Sequence, residues 1–407
     1  MKKKGTLLSL SALCIFMGIL TGPLAFAEGI KVGVLLPLTG KLAHFGDIER
    51  KSFLMAANEI NKAGGIHGEP IHLIIKDTEG KPATGKSAMD KLIRKDGVCI
   101  VGGGFSSSVT WATSRLAQKN KIPFLVNTAS ADKITEKGGD HIFRLNAPIS
   151  EYQTALKSFL KDVAHVKTVA ILYENTLFGQ SQSQEFVKRC KGLGLQVVIK
   201  EDYEVGTSDF EQIVKINNRR PDLFYMIASS VGTDASSMVR KARELNLNAK
   251  LFVGGGAGFT LSKFQENSGS ASDYVFAATL WTPSVQYPGA SDYFNKFVAK
   301  YNESTEYHGA QAYAAMYVIA DALKRAQSHT PHDVRDALAE TDIMTVFGPV
   351  KFISYGKKKF QNKIPTFLGQ WLNRKFEAVW PKTICTVKYV YPTPVRDEPN
   401  EIYLSTD

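Results

Sequence analysis

The groups in this chain that could do chemistry gather where short apolar runs end in small hydroxyl residues. Ile100-Val101 passes through Gly102-Gly103-Gly104 and Phe105 into Ser106-Ser107-Ser108, and Ile122–Val126 passes into Asn127-Thr128-Ala129-Ser130. Hydroxyls donate hydrogen bonds without adding charge, and glycines let the backbone approach a ligand closely. Val109, Ala112 and Leu116 follow the first cluster at i, i+3 and i+7, the spacing of an amphipathic helix. A helix starting there turns unpaired N–H groups and a partial positive charge towards its neighbour. Ser107 alone reads as an N-cap and Ser130 alone as a turn residue. Two such clusters on adjacent strands point instead to a small-anion site.

One stretch matches a nucleotide-binding motif. Gly80-Lys81-Pro82-Ala83-Thr84-Gly85-Lys86-Ser87 satisfies G-x-x-x-x-G-K-[ST] between a strand-like and a helix-like run. A phosphate cradle needs consecutive free N–H groups, and Pro82 removes one. Asp77 and Glu79 add negative charge beside it. The stretch reads as a polar loop and a helix start; a P-loop nucleotide-dependent enzyme is the alternative. There is no G-x-S-x-G or H-E-x-x-H, and the eight histidines are dispersed. With no C-x-x-C and no Cys/His cluster, neither metal nor cofactor is expected, and no catalytic residue is assigned.

The elements that must position these groups follow from patterning. Lys31–Pro37 reads as a strand, Leu38–Gly46 as a loop, and the next stretch as a helix carrying Phe53, Ala56, Ala57 and Ile60 and stopping at Gly64-Gly65. Ile71–Lys76 is a second strand. Later ones are Thr168–Tyr173, Leu195–Ile199, Leu223–Ala228 and Leu251–Gly254, with a β-rich end at Pro365–Leu372 and Thr386–Tyr391. Such alternation predicts doubly wound parallel sheets, and there are too many units for one domain. The first residues read as a secretory address: Met1-Lys2-Lys3-Lys4, the apolar Leu7–Leu20, and Ala25-Phe26-Ala27 as the cleavage site. Leu13 before Cys14 is too large for a lipid-anchor signal, and the apolar run is too short for a membrane span. An exported, soluble chain from Glu28 is expected. Removing 27 of 407 residues leaves 380, enough for two domains, and takes three lysines, lowering the net charge from +11 to +8. Basic residues are scattered, with Lys357-Lys358-Lys359 the only dense run, so no nucleic-acid partner is expected. Cys99, Cys190 and Cys385 remain, and an odd number leaves at least one free thiol.

Several segments in order carry a family pattern: Val32-Gly33-Val34-Leu35-Leu36-Pro37-Leu38-Thr39-Gly40, Asn61–Gly68, Asp77, Gly102–Ser108, Phe143-Arg144, Tyr173–Gly179 and Phe347-Gly348-Pro349-Val350. Over nearly the whole mature chain this resembles the type I periplasmic solute-binding proteins of ABC transporters, in the leucine/isoleucine/valine-binding (hydrophobic amino acid transport) branch. The resemblance implies two α/β lobes joined by a three-segment hinge near Ala147, Thr279 and Ser354. Residues 28–147 with 280–354 would form one lobe, and 148–279 with 355–407 the other. It further implies a periplasmic monomer that closes on a small solute and docks on an ABC permease in the inner membrane. A sensory ligand-binding domain is another use of that fold.

The resemblance also suggests ligand positions. The hydroxyls that hold a carboxylate match Ser106 or Ser107 and Ser130, Thr128 supplies a backbone carbonyl, and the covering aromatic matches Phe45. In the other lobe a tyrosine position matches Phe178, and another falls near Ala228-Ser229. The acid that pairs with an α-ammonium group matches Gly256. An unpaired buried ammonium is costly, so either Asp234 or Glu174 compensates or the solute is not an α-amino acid. Trp281, at the second crossover, would add an apolar wall. The expected solute is a small carboxylate-bearing molecule, whether branched-chain amino acid-like, an amide, or an aromatic or aliphatic acid. With the ammonium partner missing, an apolar or aromatic body is expected in place of a standard zwitterionic amino acid.

Overall fold

The computed structural model describes residues 29–230, 234–385 and 387–395. The expected export signal, 1–27, lies outside them. Five parallel strands begin the chain: β1 (Ile30–Leu36), β2 (Ile71–Asp77), β3 (Ile100–Gly103), β4 (Phe124–Val126) and β5 (Ile142–Arg144). They lie in the order β5-β4-β3-β1-β2. A second set, β6 (Thr168–Glu174), β7 (Gln196–Tyr203), β8 (Leu223–Ile227), β9 (Leu251–Gly254) and β10 (Phe276–Thr279), repeats the pattern as β10-β9-β8-β6-β7. β8, for example, is buried along its whole length, as a strand covered on both faces must be.

The edges are mixed rather than parallel. A separate hairpin joins β11 (Asp342–Thr345) to β12 (Gly348–Lys351). Then β13 (Ile353–Tyr355) and β14 (Lys358–Gln361) extend the first sheet past β5, while β15 (Phe367–Leu372) and β16 (Lys375–Trp380) extend the second antiparallel to β10. This moves the third crossover. Ser354 lies within β13 of the first sheet, and the chain passes to the second sheet between Gln361 and Phe367. Gln361 fixes that boundary, because it pairs with Arg144 in register and accepts from its guanidinium at 2.6 Å. The strand expected at Thr386–Tyr391 is not found over 387–391; residue 386 lies outside the description. The partner of β15 is β16, whose polar Lys375 and Glu377 hide an edge strand from apolar patterning.

Strand order positions the site. In the first sheet the order reverses between β1 and β3, and in the second between β6 and β8. Connections leaving the carboxyl ends on either side of such a reversal part in opposite directions and open a crevice. Three helices flank the first crevice: α1 (Ala43–Lys62), α2 (Pro82–Lys91) and α3 (Ser107–Lys119). α1 packs extensively on the helix Tyr307–Arg325 over one sheet face. No described helix is long and apolar enough to cross a membrane.

Candidate functional site

A cleft of about 550 Å³ lies between the two crevices, lined from both sheets. From the first come Ser106, Ser107, Ser108, Thr128 and Ser130; from the second come Glu174, Phe178, Ser229 and Gly256. Both hydroxyl clusters and the opposite wall therefore meet in one space.

The serines are placed by α3 and by the β4 connection. Ser106 sits at the N-cap of α3 without a side-chain cap bond, so the first N–H groups of a 13-residue helix are not closed by it. Among the described residues, no hydrogen bond is made by the Ser106 or Ser130 hydroxyl, whereas Ser107 Oγ accepts from the Ala131 N–H at 3.3 Å. Ser130 is clamped through its neighbours: the fully buried Arg144 donates to the carbonyls of Ala129 (3.4 Å) and Ala131 (2.8 Å). The Thr128 carbonyl accepts from the Asn146 amide, so one of its lone pairs is already used. Its hydroxyl donates to Glu49 Oε1 at 2.5 Å.

Two expected residues lie elsewhere. Phe45 does not line the cleft, because α1 starts at Ala43 and turns Phe45 inward. It stacks on Phe105, 5.0 Å between centroids, and Phe105 is the aromatic that reaches the cleft. Trp281 is buried, donates its indole N–H to the Val346 carbonyl at 2.8 Å and packs edge-on to Tyr293. It lines a separate depression with Phe294 and Trp371.

The second wall explains the glycine at position 256. Gly256 has φ +143°, and a Cβ there would lie 2.6 Å from the Ala228 carbonyl and 3.1 Å from the Phe178 ring. The place where an acid is expected is thus filled by an aromatic ring. Of the two carboxylates considered as replacements, Glu174 lines the cleft and Asp234 does not. Glu174 already accepts from Thr176 Oγ1 (2.6 Å), the Ser229 N–H (2.6 Å) and Ser229 Oγ (2.7 Å). Burial pushes its carboxyl above the usual range despite those bonds. Ser229 is therefore engaged with Glu174.

Patterning missed a third group. His308 lines the cleft near the start of the helix Tyr307–Arg325, with Nδ1 2.7 Å from both Glu306 oxygens and its ring 5.3 Å from that of Phe105. Tyr152 and Tyr307 also line it. These residues come together only through long-range packing, and nothing in their local sequence marks them. Gly80, Lys81 and Pro82 reach the cleft rim, but the nucleotide-motif stretch forms an ordinary helix start. Pro82 opens α2, the Gly85 N–H bonds to the Lys81 carbonyl at 2.9 Å, and Lys86 is exposed. No group of three or more His, Cys, Asp or Glu among the described residues could hold a metal.

A family model described as periplasmic binding protein matches residues 29–374. The leucine-, isoleucine-, valine-, threonine-, and alanine-binding protein of Pseudomonas aeruginosa is 27% identical over 333 residues, 82% of this chain and 88% of that protein. Leu/Ile/Val-binding protein homolog 8 of Brucella melitensis is 27% identical over 376 residues, 88% of this chain and 92% of its own. Among solved structures, LivJ of Streptococcus pneumoniae in complex with isoleucine matches with a TM-score of 0.78 at 24% identity, over 87% of this chain and all (100%) of that one. A solute-binding protein of an R. palustris ABC transporter, in complex with benzoate, matches with a TM-score of 0.76 at 20% identity, over 88% and 100%. At these identities the structural matches speak for the fold alone.

Proposed function

Because the chain belongs to the periplasmic binding protein family, we propose that it is the substrate-binding component of an ABC uptake transporter and captures a small carboxylate-bearing solute. It is exported through a cleaved signal, works in the periplasm as a monomer, binds without chemical conversion and delivers its solute to an inner-membrane permease. One lobe comprises the strands of the first sheet and the other those of the second. The observation that supports this most is the meeting of Ser106, Ser130 and the open N-terminus of α3 in a cleft walled opposite by Phe178. Neutral donors with a helix dipole suit one negative charge, and a ring where the ammonium partner is expected suits an apolar or aromatic body. The Pseudomonas aeruginosa relative is named for binding leucine, isoleucine, valine, threonine and alanine, all small carboxylate-bearing solutes, which supports this reading.

A thermal-shift screen of aromatic acids, branched aliphatic acids, their amides and the branched-chain amino acids tests this reading. A solute bound only by the native state raises the transition temperature. The expected result is a rise with one or more monocarboxylates and less or none with the matching amides. No response to any carboxylate overturns the reading.

A further inference from the structure

The cleft mouth carries a direct contact from one lobe to the other. Lys41 lines the cleft from the loop between β1 and α1, and its Nζ donates to the carbonyl of Val205, beyond β7 of the second sheet. Both ends are held rigidly. In the first lobe Asp77 accepts from the N–H groups of Leu38 (2.8 Å), Thr39 (3.3 Å) and Glu79 (2.7 Å) and from Thr39 Oγ1 (2.6 Å), tying the Lys41 loop to the end of β2. In the second, the buried Asp234 accepts from the Gly206 N–H at 2.9 Å, fixing the turn next to Val205.

Gly206 completes the fit. A Cβ on it would fall 2.9 Å from Lys41 Cδ and closer still to Cε and Nζ. The lysine stem thus lies in the space that the glycine leaves, with backbone φ +86° that disfavours other residues. Lys41 makes no ion pair among the described residues, so its ammonium group is committed to this carbonyl. A charged donor on a neutral acceptor, held between two fixed loops, favours one interlobe spacing over the rest.

We propose that Lys41 is a positioning residue that latches the two lobes at the cleft mouth and so governs how readily the site opens. This rests on the reading of the chain as a two-lobed binding protein that closes on its solute. The test measures interlobe distance rather than binding. Spin labels go on the exposed Lys86 of α2 and Gln184 of the second lobe, each as cysteine with Cys385→Ser, and distances are recorded for Lys41, Lys41→Met and Lys41→Arg. Each chain is measured alone and with isoleucine or benzoate as probes. Lys41→Met keeps the stem but removes the donor. It should raise the ratio of open to closed forms about five- to tenfold, less than a buried bond to a charged group would yield because this one is solvent-exposed, and Lys41→Arg should restore the closed spacing. A merely structural lysine would not show that rescue. Superimposable distributions for Lys41 and Lys41→Met in every condition overturn the latch. A solute screen with no hits would instead overturn the transport reading and leave the distance result standing.

Discussion

Replacing Arg144 with methionine is expected to lower stability by about 3 kcal/mol and to loosen the loop that carries Ser130. The guanidinium is fully buried, at the end of β5, and is held by neutral acceptors: Gln361 Oε1 at 2.6 Å, Thr135 Oγ1 at 2.9 Å and the carbonyls of Ala129 and Ala131. Burial pulls its pKa down to about 10, still far above neutrality, so the charge persists at pH 7. Methionine fills the volume but takes the guanidinium donor from all four acceptors. Gln361 Oε1 keeps only the bond from Thr135 Oγ1 at 3.2 Å and the Ala131 carbonyl only that from the Ile134 N–H at 3.1 Å, and each group left unsatisfied costs roughly 1–3 kcal/mol. Removal of a desolvated charge offsets part of this. Urea denaturation at pH 7 measures the difference. A loss below about 1 kcal/mol, within the range of an ordinary surface substitution, would show that the network is dispensable.

The second large effect is one of pH. Glu49 on α1 is completely buried beneath Thr128, and burial pushes its carboxyl up to about 7 against the opposing pull of His308. Thr128 and Asn127 face it from the β4 connection, while Glu306, Tyr307, His308 and Gln311 face it from the helix Tyr307–Arg325 and its cap. Unfolded, the group titrates near the ordinary 4.5. The native state therefore binds the proton more tightly. Its contribution is present in full below about pH 4.5 and is lost as pH rises through about 7. From pH 4.5 to 8 the loss approaches 3 kcal/mol, at 1.36 kcal/mol per unit. Glu49→Gln keeps the acceptor for Thr128 and cannot ionise. Its stability should therefore fall less with pH than that of the parent chain, the two curves diverging above about pH 5. Parallel curves would mean that Glu49 is solvated or paired in a way that leaves its carboxyl unshifted.

Much of this architecture is legible along the chain, and the exceptions have physical causes. Repeated apolar runs followed by helical spacing marked the parallel strands, because strands covered on both faces must be apolar throughout. Ser106, Ser107 and Ser130 were legible for a related reason: hydroxyls directly after such strands fall at a sheet's carboxyl edge, and there the cleft lies. Phe45 and Trp281 were misplaced because an aromatic side chain satisfies core packing as readily as ligand contact. Only the start of α1 at Ala43 shows that Phe45 turns away. The third crossover slipped past Ser354 because β14 is a short strand with three polar residues, and its one pairing with β5 depends on Arg144, far off in sequence. His308, Tyr152 and Tyr307 carry no local signal, since their position in the cleft depends on how whole elements dock.

Calorimetric titration of the parent chain and of Ser130→Ala with benzoate, a branched aliphatic acid and isoleucine decides which class of solute the cleft holds. A monocarboxylate lacking an ammonium group is expected to bind. Losing a hydrogen bond to its charged oxygen removes roughly 1.5–3 kcal/mol, so Ser130→Ala should weaken that binding about ten- to a hundredfold. Tight binding of isoleucine with both acids silent, or affinity unchanged in Ser130→Ala, would contradict it: the cleft would then recognise a zwitterion, with Glu174 and not the Phe178 wall setting its specificity.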